Sequence, residues 1–224
     1  MGRAFTPTLA RIVHDGHEMR KALRGILGFV ALIALPAGIG TSLVASDITL
    51  VLLGDQWTRA ADFFRWLAIC GAFESVLLVM ESYFIARHRE RIFTVLTMVQ
   101  LATLVPAILW AGPHFGIEGI AIARTLVTGA AMLAMFTVMV RLGWLGWRDL
   151  AVLCWRPVLA AAAMAVVVTT LHDPSISVRL LSMLRDVALG GATYTAVLVG
   201  LWWLSGRPEG AEKSCLAVLR RVAA

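Results

Sequence analysis

The chain has 224 residues, 59% of them hydrophobic and only 15% charged, with a formal net charge of +6 and a mean hydropathy of +0.82. A soluble domain is usually about 45–50% apolar and about 25% charged, so this composition excludes a water-soluble globular fold. The positive charge does not indicate nucleic acid, because the basic residues sit in short gaps between apolar runs instead of forming one stripe.

Residues 1–24 read as a cytoplasmic amphipathic segment entering a helix. Leu9, Ile12 and Val13 keep helical spacing, while Arg11, Asp15 and Glu18 fall on other faces. The cluster from His14 to Glu18 is expected to be a solvated loop and not a metal site, since Gly16 interrupts the helix that would align the two histidines. Six apolar runs follow, at 25–45, 66–86, 92–111, 120–140, 157–171 and 187–204. A helix rises about 1.5 Å per residue, so about 20 residues cross a hydrocarbon core of about 30 Å.

The first run contains Pro36, Gly38 and Gly40. Proline removes a backbone donor and clashes with the preceding turn, so these residues are candidates for a hinge, or for a packing kink where glycine admits a neighbouring helix. The connection that follows has an apolar stretch at 48–53, too short to span. It is expected to form an interfacial helix ended by Gly54, with Trp57 at headgroup depth.

The second run carries Glu74 and Glu81. Seven residues at 100° each fall only 20° short of two turns, so both carboxylates share one face. A carboxylate at bilayer depth costs several kcal/mol unless it meets protein or water. The two acids are therefore candidates for cation or proton coupling or for substrate contact; the plainer alternative is pairing inside the bundle. The third run adds Thr94, Thr97, Gln100 and Thr103. Gln100 is a further cavity candidate, with interhelical hydrogen bonding as the simpler role.

A tight turn is expected over 112–119, which holds three glycines and Pro113. Arg124 lies near the start of the fourth run, placed either to snorkel outward or to meet an anion in a cavity. Met132, Met135 and Met139 read as packing residues. The fifth run, of 15 residues, is the shortest. It spans only if the turn around Trp155 and Arg156 is partly buried or the bilayer thins. The sixth ends in Trp202 and Trp203, an interfacial anchor. Residues 207–224 form a basic tail that can lie on the membrane surface. Cys70, Cys154 and Cys215 share no metal-ligand spacing, so no metal or cofactor is expected.

If all six runs span, 15 of the 20 lysines and arginines fall on one membrane face and 5 on the other. The positive-inside rule makes the richer face cytoplasmic. The fold expected is thus an all-α, polytopic membrane bundle of about six transmembrane helices with both ends cytoplasmic.

Four stretches, taken in order, carry a family resemblance: Phe5-Thr6-Pro7-Thr8-Leu9-Ala10-Arg11-Ile12, Leu35-Pro36-Ala37-Gly38, Leu52-Leu53-Gly54-Asp55-Gln56-Trp57 with Ala60-Ala61, and Gly116-Ile117-Glu118-Gly119-Ile120-Ala121. Together they resemble the C-terminal lobe of the polysaccharide (O-antigen and exopolysaccharide) flippases of the multidrug/oligosaccharidyl-lipid/polysaccharide exporter superfamily. On that resemblance, residues 25–140 are the four-helix core of the lobe and 141–206 an additional helix pair.

The resemblance implies two helical lobes joined in a V. They move an undecaprenyl-diphosphate-linked oligosaccharide across the bacterial inner membrane without making or breaking a bond, so no enzyme activity is expected. Alternating access needs two bodies. The expectation is therefore a truncated chain lacking an N-terminal lobe, a separate chain that supplies it, or a dimer. Glu74, Glu81, Arg124 and Gln100 remain cavity candidates by position and polarity. The alternatives are a non-catalytic interaction subunit of a polysaccharide-assembly complex, or half of a drug/cation antiporter of the same superfamily. A polyprenyl-phosphate transferase is disfavoured, because the cytoplasmic gaps lack clustered acids or histidines.

Overall fold

The computed structural model describes residues 16–171 and 179–204. The expected amphipathic segment before residue 16, the tail after 204, Cys215 and the first of the four family stretches lie outside them. The described residues form helices and turns: α1 (Gly16–Leu43), α2 (Ala45–Leu53), a 3-10 turn (Asp55–Trp57), α3 (Thr58–Ala86), α4 (Glu90–Arg141), α5 (Trp147–Leu171) and α6 (Arg179–Leu204). Five of the helices are long and apolar enough to cross a membrane.

The longest of these is two spans. As one straight rod, α4 would reach about 78 Å, and Ile92 would lie about 70 Å from Met139. Instead both pack in the same apolar cluster. The chain reverses at Gly116, whose φ of 64° and ψ of −152° are non-helical and which only glycine adopts without penalty. The arms close tightly beside it, since a Cβ on Gly119 would lie 3.1 Å from the Ala111 carbonyl oxygen. The expected turn over 112–119 is thus compressed into a single residue, because helical hydrogen bonding continues through Pro113 on one side and Ile117 on the other. With the two arms counted separately, the structure carries six apolar spans.

α1 is the centre of the bundle. It packs on α3 on one side and on α5 on the other; α4 lies beyond α3, and α6 beyond α5. The α1 helix stays helical through Pro36, and its glycines act as contact points. A Cβ on Gly38 would sit 2.7 Å from the Ala72 Cβ and 2.8 Å from the Ala68 carbonyl oxygen, and one on Gly40 would touch Met164 of α5. Ala160 and Ala161 of α5 are fully buried, and the Tyr194 hydroxyl of α6 donates to the Leu32 carbonyl at 2.7 Å. Small residues and the interhelical hydrogen bond from Tyr194 thus help hold these helices together, as expected where lipid is as apolar as leucine.

The ends of the helices sort as the charge pattern requires. At one end Arg20 donates to the Gly143 carbonyl at 2.7 Å, and Arg24 pairs with Asp149 at 2.7 Å. Trp144 stacks edge-on against Tyr83 and Phe84, and Arg87 lies over the Tyr83 and Trp144 rings. Three basic gaps therefore meet at one end of the bundle, above a core of Met19, Leu23, Met80, Tyr83, Phe84 and Met139. At the other end α2 is capped by Gly54, whose N–H donates to the Leu50 carbonyl, and Trp57 stands half-exposed.

The fifth run needs no thinned bilayer. α5 begins ten residues before it, at Trp147, so the helix is about 37 Å long. Arg156 and Pro157 are buried within it, with the Arg156 guanidinium over the Trp155 ring.

The closeness at Gly38 can be checked. Gly38→Leu should lower the thermal stability of the purified protein in detergent by about 1–3 kcal/mol, the usual cost of overpacking. Gly25→Ala, where an added Cβ meets nothing within 4 Å, should leave it unchanged or slightly raised.

Candidate functional site

α3 and the second arm of α4 meet along a stripe of small and polar residues. Thr125 is buried and donates either to the Ala121 carbonyl of its own helix or across to Trp66 of α3, 3.0 Å away. Gly129 leaves room for the Phe73 ring, 3.3 Å from where its Cβ would be. Immediately before Thr125 and Gly129 in the chain come Arg124 and Thr128, which face Glu74 and Cys70.

The Arg124 guanidinium donates to the Glu74 carboxylate at 2.5 Å. The Cys70 thiol lies beneath them, 3.8 Å from the same carboxylate oxygen and 3.5 Å from the Thr128 hydroxyl. Cys70 and Glu74 are four residues apart, as are Arg124 and Thr128, so each pair projects from one face of its helix. Glu74 is twelve residues from the basic end of α3, about 18 Å, and Arg124 is eight residues past Gly116, about 12 Å. Both charges lie inside the apolar length of their helices.

Although paired, the two side chains remain open: 41% of Arg124 and 48% of Glu74 is accessible. A charged side chain costs about 2.5–3.5 kcal/mol at the centre of a membrane helix. One ion pair buried against its own chain would offset this, but here each partner keeps a bare side. That side must face water or another polar protein surface, because hydrocarbon would leave the remaining carboxylate lone pairs and guanidinium N–H groups unsatisfied. The face formed by α3 and the second arm of α4 thus carries a half-open ion pair within its apolar length.

The other candidates stand apart from this pair. Glu81, half-buried two turns further along α3, has no hydrogen-bond or ion-pair partner among the described residues. Gln100 is on the first arm of α4, also without a partner among them. Thr94, Thr97 and Thr103 donate to the carbonyls four residues before them, so these threonines satisfy themselves within the helix and do not bond across to a neighbour. On this arm, from 90 to 115, Ala111 is the one buried residue, the pattern of a lipid-facing helix. Pro36, Gly38 and Gly40 lie on other contacts, between α1 and its neighbours α3 and α5. Cys70 and Thr128 are the members that sequence reading passed over, and the four-residue spacing to Glu74 and Arg124 is the signal that could have found them. Among the described residues, no group of three or more histidines, cysteines and acids could hold a metal ion.

Parts of the chain are similar to known proteins. Residues 1–62 match the family model described as polysaccharide biosynthesis protein. Over 139 residues, 62% of the chain, it is 24% identical to the lipopolysaccharide biosynthesis protein WzxC of Escherichia coli (strain K12). Over 120 residues it is 23% identical to an uncharacterized membrane protein in the cps region of Klebsiella pneumoniae. The matched stretches cover 28% and 25% of those two proteins, so the chain spans about a quarter of the length of the curated relatives it matches. These matches bear out the resemblance to the polysaccharide flippase family read from the sequence.

If Glu74 and Arg124 share one interaction, their substitutions will not add. Glu74→Gln and Arg124→Gln should each lower thermal stability in detergent, and the double variant should lose less than the sum, with a coupling of about 0.6–2 kcal/mol. Strict additivity would mean the pair is not formed in the folded protein.

Proposed function

We propose that this membrane protein of polysaccharide biosynthesis works as one lobe of a carrier. Together with a second helical body, it moves a lipid-linked oligosaccharide across the bacterial inner membrane. The observation that carries the reading is the open Glu74–Arg124 pair at bilayer depth. A lobe whose polar face is incomplete alone becomes complete when a second body encloses a water-filled cavity against it, the arrangement alternating access requires. The second body is a separate chain, a further lobe or a second copy.

The chemistry follows from the groups present. A lipid diphosphate is anionic, and Arg124 offers a planar set of donors that matches phosphate oxygens in pairs. Glu74 holds that guanidinium in place between transport events and yields it when the substrate's oxygens replace its own. The thiol of Cys70, beside the Thr128 hydroxyl, remains on the inner side of the pair and keeps the released carboxylate partly satisfied. Glu81, nearer the basic end, is the second acid of the same face and a place for a cation or proton to bind. Nothing in this cycle makes or breaks a covalent bond, so the protein is a transporter and not an enzyme. The basic end, where Arg20, Arg24 and Arg87 gather, is the cytoplasmic one by the positive-inside rule. Both chain ends are then cytoplasmic.

In the bacterium that carries the protein, Arg124→Ala at normal expression should lower surface polysaccharide output about tenfold or more, the loss expected for one charge-assisted hydrogen bond. Arg124→Lys should restore part of it, and Glu74→Gln should lower it less. Full output from Arg124→Ala would count against the reading. The orientation has its own check: single cysteines replacing Trp57 and His88 should react with an impermeant thiol reagent from opposite sides of the membrane, and labelling from the same side would contradict the topology.

A further inference from the structure

A second feature lies away from the ion pair, in the fork of the α4 hairpin. Between its two arms is a crevice of about 630 Å³, walled by Ala107, Trp110 and Ala111 on the first arm and by Ile122, Ala123 and Leu126 on the second. That is within the range of about 300–1,000 Å³ typical of small-molecule sites. The crevice exists because the arms touch at Gly119 and Ala111 near the apex while alanines at 107 and 123 leave the space below it unfilled.

We propose that this crevice binds a membrane lipid whose headgroup carries a primary ammonium. Glu118 is the one charged residue lining it, and it has no hydrogen-bond or ion-pair partner among the described residues. It stands two residues past the hairpin apex, at the end of the span, where headgroups lie. Glu118, Ile122 and Leu126 are spaced four apart and so form one stripe, about 12 Å long at the helical rise. The stripe runs from an anionic end at the interface to an apolar end inside the bilayer, matching an amphiphile with a cationic head and a hydrocarbon tail.

The carboxylate selects among heads. Ionised, it accepts hydrogen bonds and donates none, so it holds an ammonium N–H and repels a headgroup whose net charge is negative. A quaternary ammonium has no N–H to give and is held less well. Aromatic groups stand beside it: Trp110 stacks on His114, with ring centroids 5.3 Å apart, and tilts against Phe115 at 5.6 Å. An exposed indole face adds attraction for a cation. The site is separate from Arg124, whose chemistry favours anions, so its occupant is a structural lipid of the surrounding bilayer and not the transported substrate.

Native mass spectrometry of the full chain with phosphatidylethanolamine, phosphatidylcholine or phosphatidylglycerol of equal chain length tests this. Phosphatidylethanolamine should be retained at least about fivefold over phosphatidylglycerol. Glu118→Gln should remove that preference, and Glu118→Lys should reverse it. Ala123→Phe, which fills the crevice, should reduce retention of all three. Should Ala123→Phe prevent folding, the two Glu118 variants, at an exposed position, still decide the question. Equal retention of the three lipids by the unaltered chain would overturn the proposal, as would a preference that survives Glu118→Gln. Efficient disulfide dimerisation of Ala107→Cys in lipid would also overturn it, by showing that a second copy covers the crevice.

Discussion

A carboxylate and a guanidinium cannot both lie at bilayer depth without partners, and this constraint organises the protein. Glu74 and Arg124 satisfy each other across α3 and the second arm of α4. For them to meet, the two helices must approach closely and keep register. The approach is permitted by Gly129 against Phe73, and the register is held by Thr125 beside the Trp66 carbonyl. The pair does not complete its own solvation, however. Nearly half of each side chain stays open, and hydrocarbon is not an acceptable neighbour for it. The proposed function rests on this point: a surface that is polar at depth and open on one side suits contact with water, substrate or another body.

The rest of the bundle supports that face largely through small residues. α1 occupies the centre and touches its neighbours through glycine and alanine, where backbone proximity replaces the hydrophobic effect as the source of packing energy. The basic end is stapled by side chains from three separate gaps, through Arg20, Arg24 and Arg87 and the Trp144 ring. These contacts lie outside the apolar lengths of the helices, where water lowers the cost of charge. Polar groups on the first arm of α4 are handled differently. Its threonines bond back to their own helix, which lets a nearly unburied helix carry hydroxyls through lipid.

Much of this was legible in the sequence because a membrane simplifies the code. Run length decides spanning, charge bias decides which ends gather, and Gly54 ends α2 where its sequence position suggests. The reversal between the third and fourth runs was legible as well, but not its tightness. Three glycines and a proline over eight residues imply a loop, whereas the chain turns at Gly116 alone because the small residues allow the arms to close at once. The length of α5 was obscured for a related reason. Arg156 reads as the end of an apolar run, yet it is buried within the helix, its charge set over the neighbouring indole. One-dimensional hydropathy cannot see that compensation.

The candidate site divides along the same line. The sequence by itself determined that Glu74, Glu81 and Arg124 lie within apolar helices, and that the two acids share a face, because helical periodicity and the cost of buried charge follow from residue order alone. It left open whether Arg124 snorkels or turns inward, and whether the acids pair within the bundle. Only the tertiary structure decided that Arg124 reaches Glu74, that Cys70 and Thr128 stand beneath them, and that Glu81 and Gln100 stand apart. Partner choice between helices depends on rotation and register, which small residues set far along the chain from the charges themselves.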